Sequence, residues 1–392
     1  MTTGVYLAGG VRTAIGTFCG AFESVPAPAL GSLVVKAAVK RSGIPADQIE
    51  ELIFGNVVGA GLGQNVARQV GIGAGLSPGV SATTVNKVCG SGLKSIMFAA
   101  QAIQARDCSL AVAGGTENMS RAPYILERAR GGYRMGNGEL VDTMIRDGLW
   151  DVYSNVHMGT CGDRCAEKYG FTRQMQDDFA AASFKRAIAA AEKGLLKDEI
   201  EPVLVKAGKE TVTVMEDENP KKFNEEKLRK LRPAFGEKGT VTAGNASSIN
   251  DGAAAFVVLS ADKARSLGIT PQAKILGYAT FSREPEWFTL APIGAIEKLL
   301  KLISLPPDKV DLFEINEAFS VVPMAAMKDL GIPHEKVNVH GGAVALGHPI
   351  GASGARTLVT LINAMKQRGA RIGVNSLCIG GGEAVAMAVE LC

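Results

Sequence analysis

The sequence predicts an α/β fold in which parallel sheets carry helices on their faces. Short β-branched runs alternate with longer helix-like runs, and residues 52–58 and 109–115 have the continuous apolar character of buried strands. After Cys89 the apolar residues recur at spacings of three and four, which indicates an amphipathic helix beginning just past the cysteine. The order strand, helix, strand favours parallel pairing with helices packed on the sheet.

A repeat indicates that this α/β unit occurs twice. Residues 89–92 (Cys-Gly-Ser-Gly) precede a helical segment and the apolar run 111–115, which ends in two glycines. Residues 351–354 (Gly-Ala-Ser-Gly), another helical segment and the run 377–381 repeat that order near the C-terminus. Two such distant copies predict a duplicated domain, because a solenoid would repeat every ~20–50 residues. The alternative is that any two Gly-Ser-Gly helix starts look alike.

The region between the two copies, roughly residues 120–245, has a different character. It contains charged stretches, and residues 174–193 predict an exposed helix with charges on one face and alanines on the other. Long excursions from a compact core are usually lids or binding loops, so we expect an insertion that covers the site. A plain surface elaboration is the alternative. The predicted divisions are an N-terminal half at 1–119 plus 246–270, an inserted loop domain at 120–245, and a C-terminal half at 271–392.

Composition excludes several classes of protein. The 392 residues are 46% hydrophobic and 21% charged, with a net charge of +3 and no dense basic block, so we expect no nucleic-acid partner. No apolar run reaches the ~18 residues of a membrane span, so no membrane association is expected, and the N-terminus lacks a secretory pattern. The seven scattered cysteines indicate free thiols in a reducing compartment, and the predicted location is cytoplasmic.

Three reactive side chains, Cys89, His348 and Cys378, each lie beside glycines. At a helix N-terminus, Cys89 is expected to be favoured as a thiolate nucleophile. His348 can take the proton of Cys89 and return it later. A second thiol, Cys378, makes sense if one step removes a proton from the carbon next to a thioester carbonyl. Each residue alone could be structural, as a buried thiol or a turn histidine, but together they predict covalent acyl transfer.

Two further groups fit the same chemistry. Asn316 follows the strand-like run 311–315 and can orient a water or hold an oxyanion, although local sequence equally permits a helix cap. The backbone amide of Gly380, just after Cys378, could point at a developing oxyanion.

The remaining histidines carry weaker signals. His334 lies in a loop-like stretch and is predicted to be solvated, whereas His340 is predicted to be packed. His157, Cys161 and Cys165 recur at intervals of four, so one helix face could present three metal-type ligands. Because no fourth ligand has a suitable spacing, we predict no metal site.

The whole chain resembles the thiolases, and most closely the biosynthetic acetoacetyl-CoA thiolases. The motifs that carry the resemblance occur in the family's order, at residues 86–92, 316–319, 347–354 and 378–382. The resemblance implies a five-layered α-β-α-β-α fold of two similar halves with a loop domain inserted in the first. It also implies a homodimer or homotetramer.

The resemblance further implies a role for each catalytic candidate. Cys89 would carry the acyl group, His348 would activate Cys89, and Cys378 would move the α-proton of the second substrate. One oxyanion hole would use His348 with a water held by Asn316. The other would use the backbone amides of Cys89 and Gly380.

Coenzyme A (CoA) is implied as substrate and product, with no permanently bound cofactor. At its adenine end the implied basic residue is either Lys221 or Lys222, and the sequence does not decide between them. The residues implied along the CoA tunnel are His157, Ser247, Leu149, Met158, Phe319, Phe235 and Ala318.

The predicted reaction condenses two molecules of acetyl-CoA to acetoacetyl-CoA and CoA, and runs in the thiolytic reverse, through an acetyl-Cys89 intermediate. A degradative 3-ketoacyl-CoA thiolase of broader chain length is one alternative. A non-catalytic acyl-CoA carrier is another, but a pure binder needs none of Cys89, His348 and Cys378.

Overall fold

The computed structural model describes residues 4–392. Seventeen strands are found in this range. They are β1 Val5–Thr13, β2 Gly16–Thr17, β3 Glu51–Gly55, β4 Ser81–Val85, β5 Leu110–Asn118, β6 Tyr124–Leu126, β7 Leu140–Asp142, β8 Trp150–Asp151, β9 Val156–His157, β10 Ile200–Glu201, β11 Val203–Ala207, β12 Glu210–Val214, β13 Asn250–Ser260, β14 Ala273–Ser282, β15 Leu312–Ile315, β16 Ile372–Ile379 and β17 Glu383–Leu391.

The same range contains eleven α-helices. They are α1 Ala27–Ser42, α2 Val66–Gly73, α3 Ser91–Ala105, α4 Met158–Tyr169, α5 Arg173–Glu192, α6 Glu225–Lys230, α7 Ala261–Ser266, α8 Ala291–Leu302, α9 Val321–Leu330, α10 Ala343–Leu346 and α11 Ser353–Arg368. None of these helices is both long and apolar enough to cross a membrane.

The strands of the two halves form one continuous hydrogen-bonded sheet. It has two parts of similar strand order, called the first and the second sheet below. The first runs β1-β13-β5-β3-β4 and the second runs β14-β17-β16-β15. They meet where β1 pairs with β14, with Tyr6 and Leu7 opposite Lys274 and Ala273. In each sheet a central strand is antiparallel to its neighbours, β13 in the first and β17 in the second. The predicted parallel sheets are therefore mixed, because β17 follows β16 through a tight turn, which joins only antiparallel strands.

Helices cover both faces of both sheets and form three helical layers. Helix α1 packs outside the first sheet and α8 packs outside the second. Helices α3 and α11 pack against each other between the sheets. Three large groups of buried apolar side chains fill the spaces between the layers. The predicted order of five layers, α-β-α-β-α, and the duplicated α/β unit are thus confirmed.

The region between the two copies contains short hairpins and two long helices. Strands β6 with β7, β8 with β9 and β11 with β12 form separate two-stranded pairs. Helix α5 matches the predicted helix within one residue at each end, but the prediction that it is exposed is wrong. Its alanine face is buried, with Phe184 and Ala187 in a cluster that includes Leu346 of α10. This packing places α5 directly behind the segment that leads to His348.

Candidate active site

The segment before Cys89 makes a strained turn that ends at the helix α3. Strand β4 ends at Val85, and Val88 has φ +45°, a backbone conformation that costs energy for a β-branched residue. The hydroxyl of Ser91, the first residue of α3, donates to the Val88 carbonyl at 2.7 Å and accepts from the Lys87 amide at 2.8 Å. These two bonds hold the turn and set Cys89 just before the helix.

Burial dominates the acidity of the Cys89 thiol. It raises the pKa of Cys89 to about 11, and the backbone amides of Gly380 and Cys89 offset part of this rise. The expectation that the helix N-terminus favours a thiolate is therefore wrong at neutral pH. The thiol carries its proton, and deprotonation needs a base close by. The Gly380 amide is therefore near enough to Cys89 to affect its pKa.

His348 is held from both sides by hydrogen bonds. Its backbone N–H donates to the Asn250 side-chain oxygen at 3.0 Å, and its Nδ1 lies 2.5 Å from Ser353 Oγ. Ser353 Oγ also lies 2.8 Å from the Pro349 carbonyl, to which it donates its single proton. The hydroxyl must therefore accept from Nδ1–H, which leaves the lone pair on Nε2. This arrangement assigns Nε2 as the basic nitrogen.

The environment keeps His348 neutral. Burial and then the positive charge of Arg356 lower the pKa of His348 to about 3. A neutral imidazole can accept a proton at physiological pH, which a protonated one cannot. The pair of protonated thiol and neutral imidazole is therefore the resting state.

Asn316 faces the basic nitrogen of the histidine. It follows β15, and its side-chain Nδ2 lies 3.4 Å from His348 Nε2. Helix α9 begins five residues later, with Ser320 as its N-cap residue, so Asn316 is not the helix cap that the local sequence also permitted. Its Oδ1 is buried and has no hydrogen-bond partner in the described part of the chain.

Cys378 is the penultimate residue of β16, and Gly380 lies in the turn between β16 and β17. Cys378 is fully buried, and burial together with the nearby Cys89 raises the pKa of its thiol. Gly381 and Gly382 have φ of +90° and +87°, values that L side chains rarely adopt, so glycine is required for this turn. The two cysteines are thus close enough to influence each other's ionisation, as expected for a shared site.

Several of the residues implied for CoA binding form an aromatic wall. The rings of His157 and Phe235 are stacked at 4.5 Å, and Phe235 meets Phe319 edge-on at 6.2 Å. The Ser247 hydroxyl donates to the Ala318 carbonyl at 3.0 Å, beside Phe319. His157 caps helix α4 by accepting from the Gly159 amide, and burial lowers the pKa of His157. The sequence-predicted set is therefore brought together, with His157 in a structural contact as well.

The other two residues of that set lie nearer the cysteines. The Met158 side chain approaches within 3.3 Å of where a Cβ on Gly380 would be. Leu149 is the last residue of a π-helical turn, Met144–Leu149, and it packs in the apolar cluster that Cys89 also touches. Met158 therefore lies against the Gly380 loop, and Leu149 packs against the same cluster as Cys89.

The weaker signals in the sequence have structural outcomes. Cys161 and Cys165 are buried in the C-terminal core, and burial raises the pKa of each to about 11. Across residues 4–392 no three side chains of metal-ligating type converge on one point. His334 is half-buried and stacks on Phe179 at 5.1 Å, so the prediction that it is solvated is wrong. His340 is buried, as predicted.

Sequence reasoning missed two residues that hold the site. One is Ser353, which orients the His348 ring. The other is Glu117, whose buried carboxylate accepts from the Asn56 side chain and from the amides of Val57, Val58 and Gly351 at 2.9–3.2 Å. Glu117 thereby ties the segment after His348 to the first sheet. The resemblance of Ser353 to Ser91 in the repeat was the available signal, whereas Glu117 left none.

A thiol affected by two backbone amides, with a second thiol near it and a neutral imidazole on a loop that packs against the same helix start, is characteristic of enzymes that carry acyl groups on cysteine. Comparison with known proteins identifies the family. The family described as Thiolase, N-terminal domain, matches residues 5–262, and Thiolase, C-terminal domain, matches residues 269–391. The chain belongs to the thiolase family.

Curated relatives and solved structures match along nearly the whole chain. Acetyl-CoA acetyltransferase 2 of Arabidopsis thaliana is 52% identical over 390 residues, which cover 99% of this chain and 97% of that protein. Acetyl-CoA acetyltransferase of Escherichia coli K12 is 51% identical and covers 97% of each. The crystal structure of the Acat5 thiolase from Ascaris suum in complex with coenzyme A has a TM-score of 0.95 at 43% identity, covering 99% of this chain and 100% of that one.

Proposed function

We propose that this chain is an acetyl-CoA C-acetyltransferase, which condenses two molecules of acetyl-CoA to acetoacetyl-CoA and CoA and catalyses the thiolytic reverse. The observation that carries the proposal is the effect of the Gly380 and Cys89 amides on the Cys89 thiol, together with a His348 ring whose lone pair is on Nε2 and whose loop packs against the start of α3. The curated relatives that match along the whole chain are themselves acetyl-CoA acetyltransferases.

The first half-reaction acetylates Cys89. His348 Nε2 takes the thiol proton as the sulfur attacks the acetyl carbonyl, and the amides of Cys89 and Gly380 stabilise the oxyanion. The proton then goes from His348 to the departing CoA sulfur as the carbon–sulfur bond breaks. Because both thiol and imidazole are neutral at rest, the proton moves only when the thioester is in position.

The second half-reaction forms the carbon–carbon bond. His348 Nε2 takes the proton of the Cys378 thiol, and the thiolate so formed removes a proton from the methyl group of a second acetyl-CoA. The resulting enolate attacks the acetyl group on Cys89. The enolate oxygen would be held by His348 and by a water bound to Asn316, whose buried Oδ1 otherwise lacks a partner among the described residues. As the Cys89 thioester bond breaks, acetoacetyl-CoA is released and His348 returns its proton to the Cys89 sulfur.

Lys222, and not Lys221, is the residue we propose for the phosphate-bearing end of CoA. Lys221 is engaged by Glu216 at 2.6 Å. Lys222 and Lys227 border a surface cavity of about 220 Å³ that also includes Gly244, three residues before Ser247. The Lys222 ammonium group donates to the neutral Thr17 hydroxyl at 3.0 Å, whereas that of Lys221 is paired with a carboxylate. Two cationic side chains along the cavity suit an anionic ligand. CoA is a substrate and a product in this reaction, and no resident cofactor is needed.

Two alternatives differ in their substrates. Met158 lies against Gly380, and Leu149 packs against the apolar cluster that Cys89 also contacts; we propose that these side chains limit the acyl group to acetyl. A degradative thiolase would cleave long-chain 3-ketoacyl-CoA, and an acyl-CoA carrier would catalyse thiolysis of neither substrate. Thiolysis assays with acetoacetyl-CoA and with a long-chain 3-ketoacyl-CoA separate the three functions.

Two substitutions test whether Cys89 and Cys378 act in different half-reactions. Cys89→Ala should abolish acetylation of the protein by acetyl-CoA, measured by mass spectrometry of the intact chain. Cys378→Ala should retain acetylation of Cys89 and lose condensation, because only the second half-reaction needs the second thiol. Carbon–carbon bond formation by Cys378→Ala would contradict the proton-transfer role.

We also propose that the protein forms a homodimer or homotetramer in the cytoplasm. Strand β4 is an edge strand with exposed positions, and the β6–β7 hairpin carries exposed apolar side chains, including Tyr124 and Leu140 at 62% and 69% exposure. Exposed apolar patches of this kind mark association surfaces. All seven cysteines are free, as suits a reducing compartment. A monomer by light scattering would contradict the association.

A further inference from the structure

An ion pair joins the two loops that flank the Cys89 thiol. The ammonium group of Lys87 bonds a carboxylate oxygen of Glu383. Lys87 lies two residues before Cys89 and Glu383 lies three residues after Gly380. These are the loops that supply the two amides facing the thiol.

Each partner is fixed to its own loop. The Lys87 carbonyl accepts from the Gly90 amide and its own amide donates to Ser91, so the residue belongs to the turn around Cys89. Glu383 starts β17, and its second carboxylate oxygen accepts from the Ser282 hydroxyl at 3.2 Å. The side-chain pair therefore connects the turn to the sheet.

The two loops pack closely against each other at Gly90 and Ile379. A Cβ on Gly90 would collide with Ile379, which is directly before Gly380. Lys94, another cation near the pair, lies over the Phe98 ring at 4.3 Å. Burial lowers the pKa of Lys94, the charge of Lys87 lowers it further, and the charge of Glu383 raises it. Lys94 therefore lies near the ion pair but does not take the place of Lys87 in it.

We propose that Lys87 and Glu383 are positioning residues that fix the spacing between the Cys89 and Gly380 amides. The inference rests on the proposed acyl transfer, because that is the step in which both amides bind one oxygen. Neither side chain touches the reacting atoms. The ion pair holds the second loop where its amide can bind the oxyanion, and small displacements of such donors reduce the rate.

The ion pair between Lys87 and Glu383 is partly exposed to solvent. The side chains of Lys87 and Glu383 are 21% and 36% exposed, so salt weakens their attraction. Pairs of this exposure contribute up to ~1 kcal/mol, which corresponds to about fivefold in rate. Lost alignment of the two amides should lower kcat and leave the KM for CoA unchanged, because the tunnel residues are untouched.

The test uses Lys87→Met, Glu383→Gln and the exchanged pair Lys87→Glu/Glu383→Lys, in the thiolysis of acetoacetyl-CoA. Each single variant should lose about fivefold in kcat at constant KM for CoA, and the exchanged pair should recover most of it. In 0.5 M NaCl the wild-type kcat should fall toward that of Lys87→Met. Glu201→Gln serves as the control, because it breaks an ion pair to Arg41 of similar exposure elsewhere.

Three outcomes decide the proposal. Loss in both single variants with recovery in the exchanged pair supports it. Wild-type kcat in the single variants, or no recovery in an exchanged pair whose unfolding temperature matches wild type, overturns it. If the exchanged pair unfolds early, a double variant Lys87→Met/Glu383→Gln that is slower than either single variant overturns it instead. An inactive wild-type protein would refute the proposed function itself.

Discussion

Ser353→Ala tests whether the orientation of the His348 ring depends on a single hydroxyl. In the wild type, Ser353 Oγ donates to the Pro349 carbonyl and accepts from His348 Nδ1 at 2.5 Å, which leaves Nε2 as the base. Alanine removes the acceptor and leaves a buried N–H on the ring. The ring can then place its proton on Nε2, and this tautomer cannot accept the proton of Cys89.

The size of the effect follows from the change in charge during the reaction. A hydrogen bond from neutral imidazole contributes ~0.5–1.5 kcal/mol, whereas one from the imidazolium contributes ~1.5–3 kcal/mol. Only the difference, ~1–1.5 kcal/mol, reduces the rate of the chemical step. That difference corresponds to about tenfold in kcat. The fraction of molecules in the wrong tautomer adds to this loss.

The assay is steady-state thiolysis of acetoacetyl-CoA, with circular dichroism to establish folding. Ser95→Ala is the matched control, because Ser95 is equally buried in the central layer and bonds only the Gly92 and Gly114 carbonyls. We expect the control to retain wild-type kcat and Ser353→Ala to lose about tenfold. A folded Ser353→Ala enzyme with kcat within about twofold of wild type would refute the assignment of Nε2 as the base through Ser353.

Two further predictions follow from buried groups. Because burial raises the pKa of Cys89 to about 11, its alkylation by iodoacetamide should keep rising with pH up to that value; a plateau near pH 8 by mass spectrometry would contradict it. Arg12 is fully buried between Glu199 at 2.6 Å and Asp217 at 2.7 Å, so Arg12→Met should cost ~3–5 kcal/mol of unfolding free energy in urea. Arg265→Met at an exposed pair is the control, and an Arg12→Met loss below ~1 kcal/mol would disprove the argument.

The catalytic candidates could be predicted because their signals are local. A nucleophile next to glycine, a turn and an amphipathic helix lie within a few residues, so the placement of Cys89 before α3 needed no knowledge of the fold. The same holds for Cys378 and Gly380 at the end of an apolar strand. For such residues the neighbouring sequence is enough to predict the local structure.

What the sequence could not predict depends on contacts between distant segments. Burial raises the Cys89 pKa and reverses the effect expected from the helix N-terminus, and burial is a property of the packed layers. The loop-like residues around His334 predict that it is solvated, but its ring stacks on Phe179 of α5. Glu117 is a single carboxylate in an apolar run, and its partners in two other segments, residues 56–58 and Gly351, become visible only after folding.

The duplication explains why the site lies between the halves. Ser91 and Ser353 are the first residues of α3 and α11, and each donates back to a carbonyl of the preceding loop. In the first copy the serine oxygen also accepts from a backbone amide, whereas in the second it faces the His348 ring. The two helices pack so closely that a Cβ on Gly92 would lie 2.9 Å from the Ala355 amide nitrogen. One ancestral helix start, used twice, therefore brings a nucleophile loop and a base loop face to face, and only the second loop needed a histidine to complete the pair.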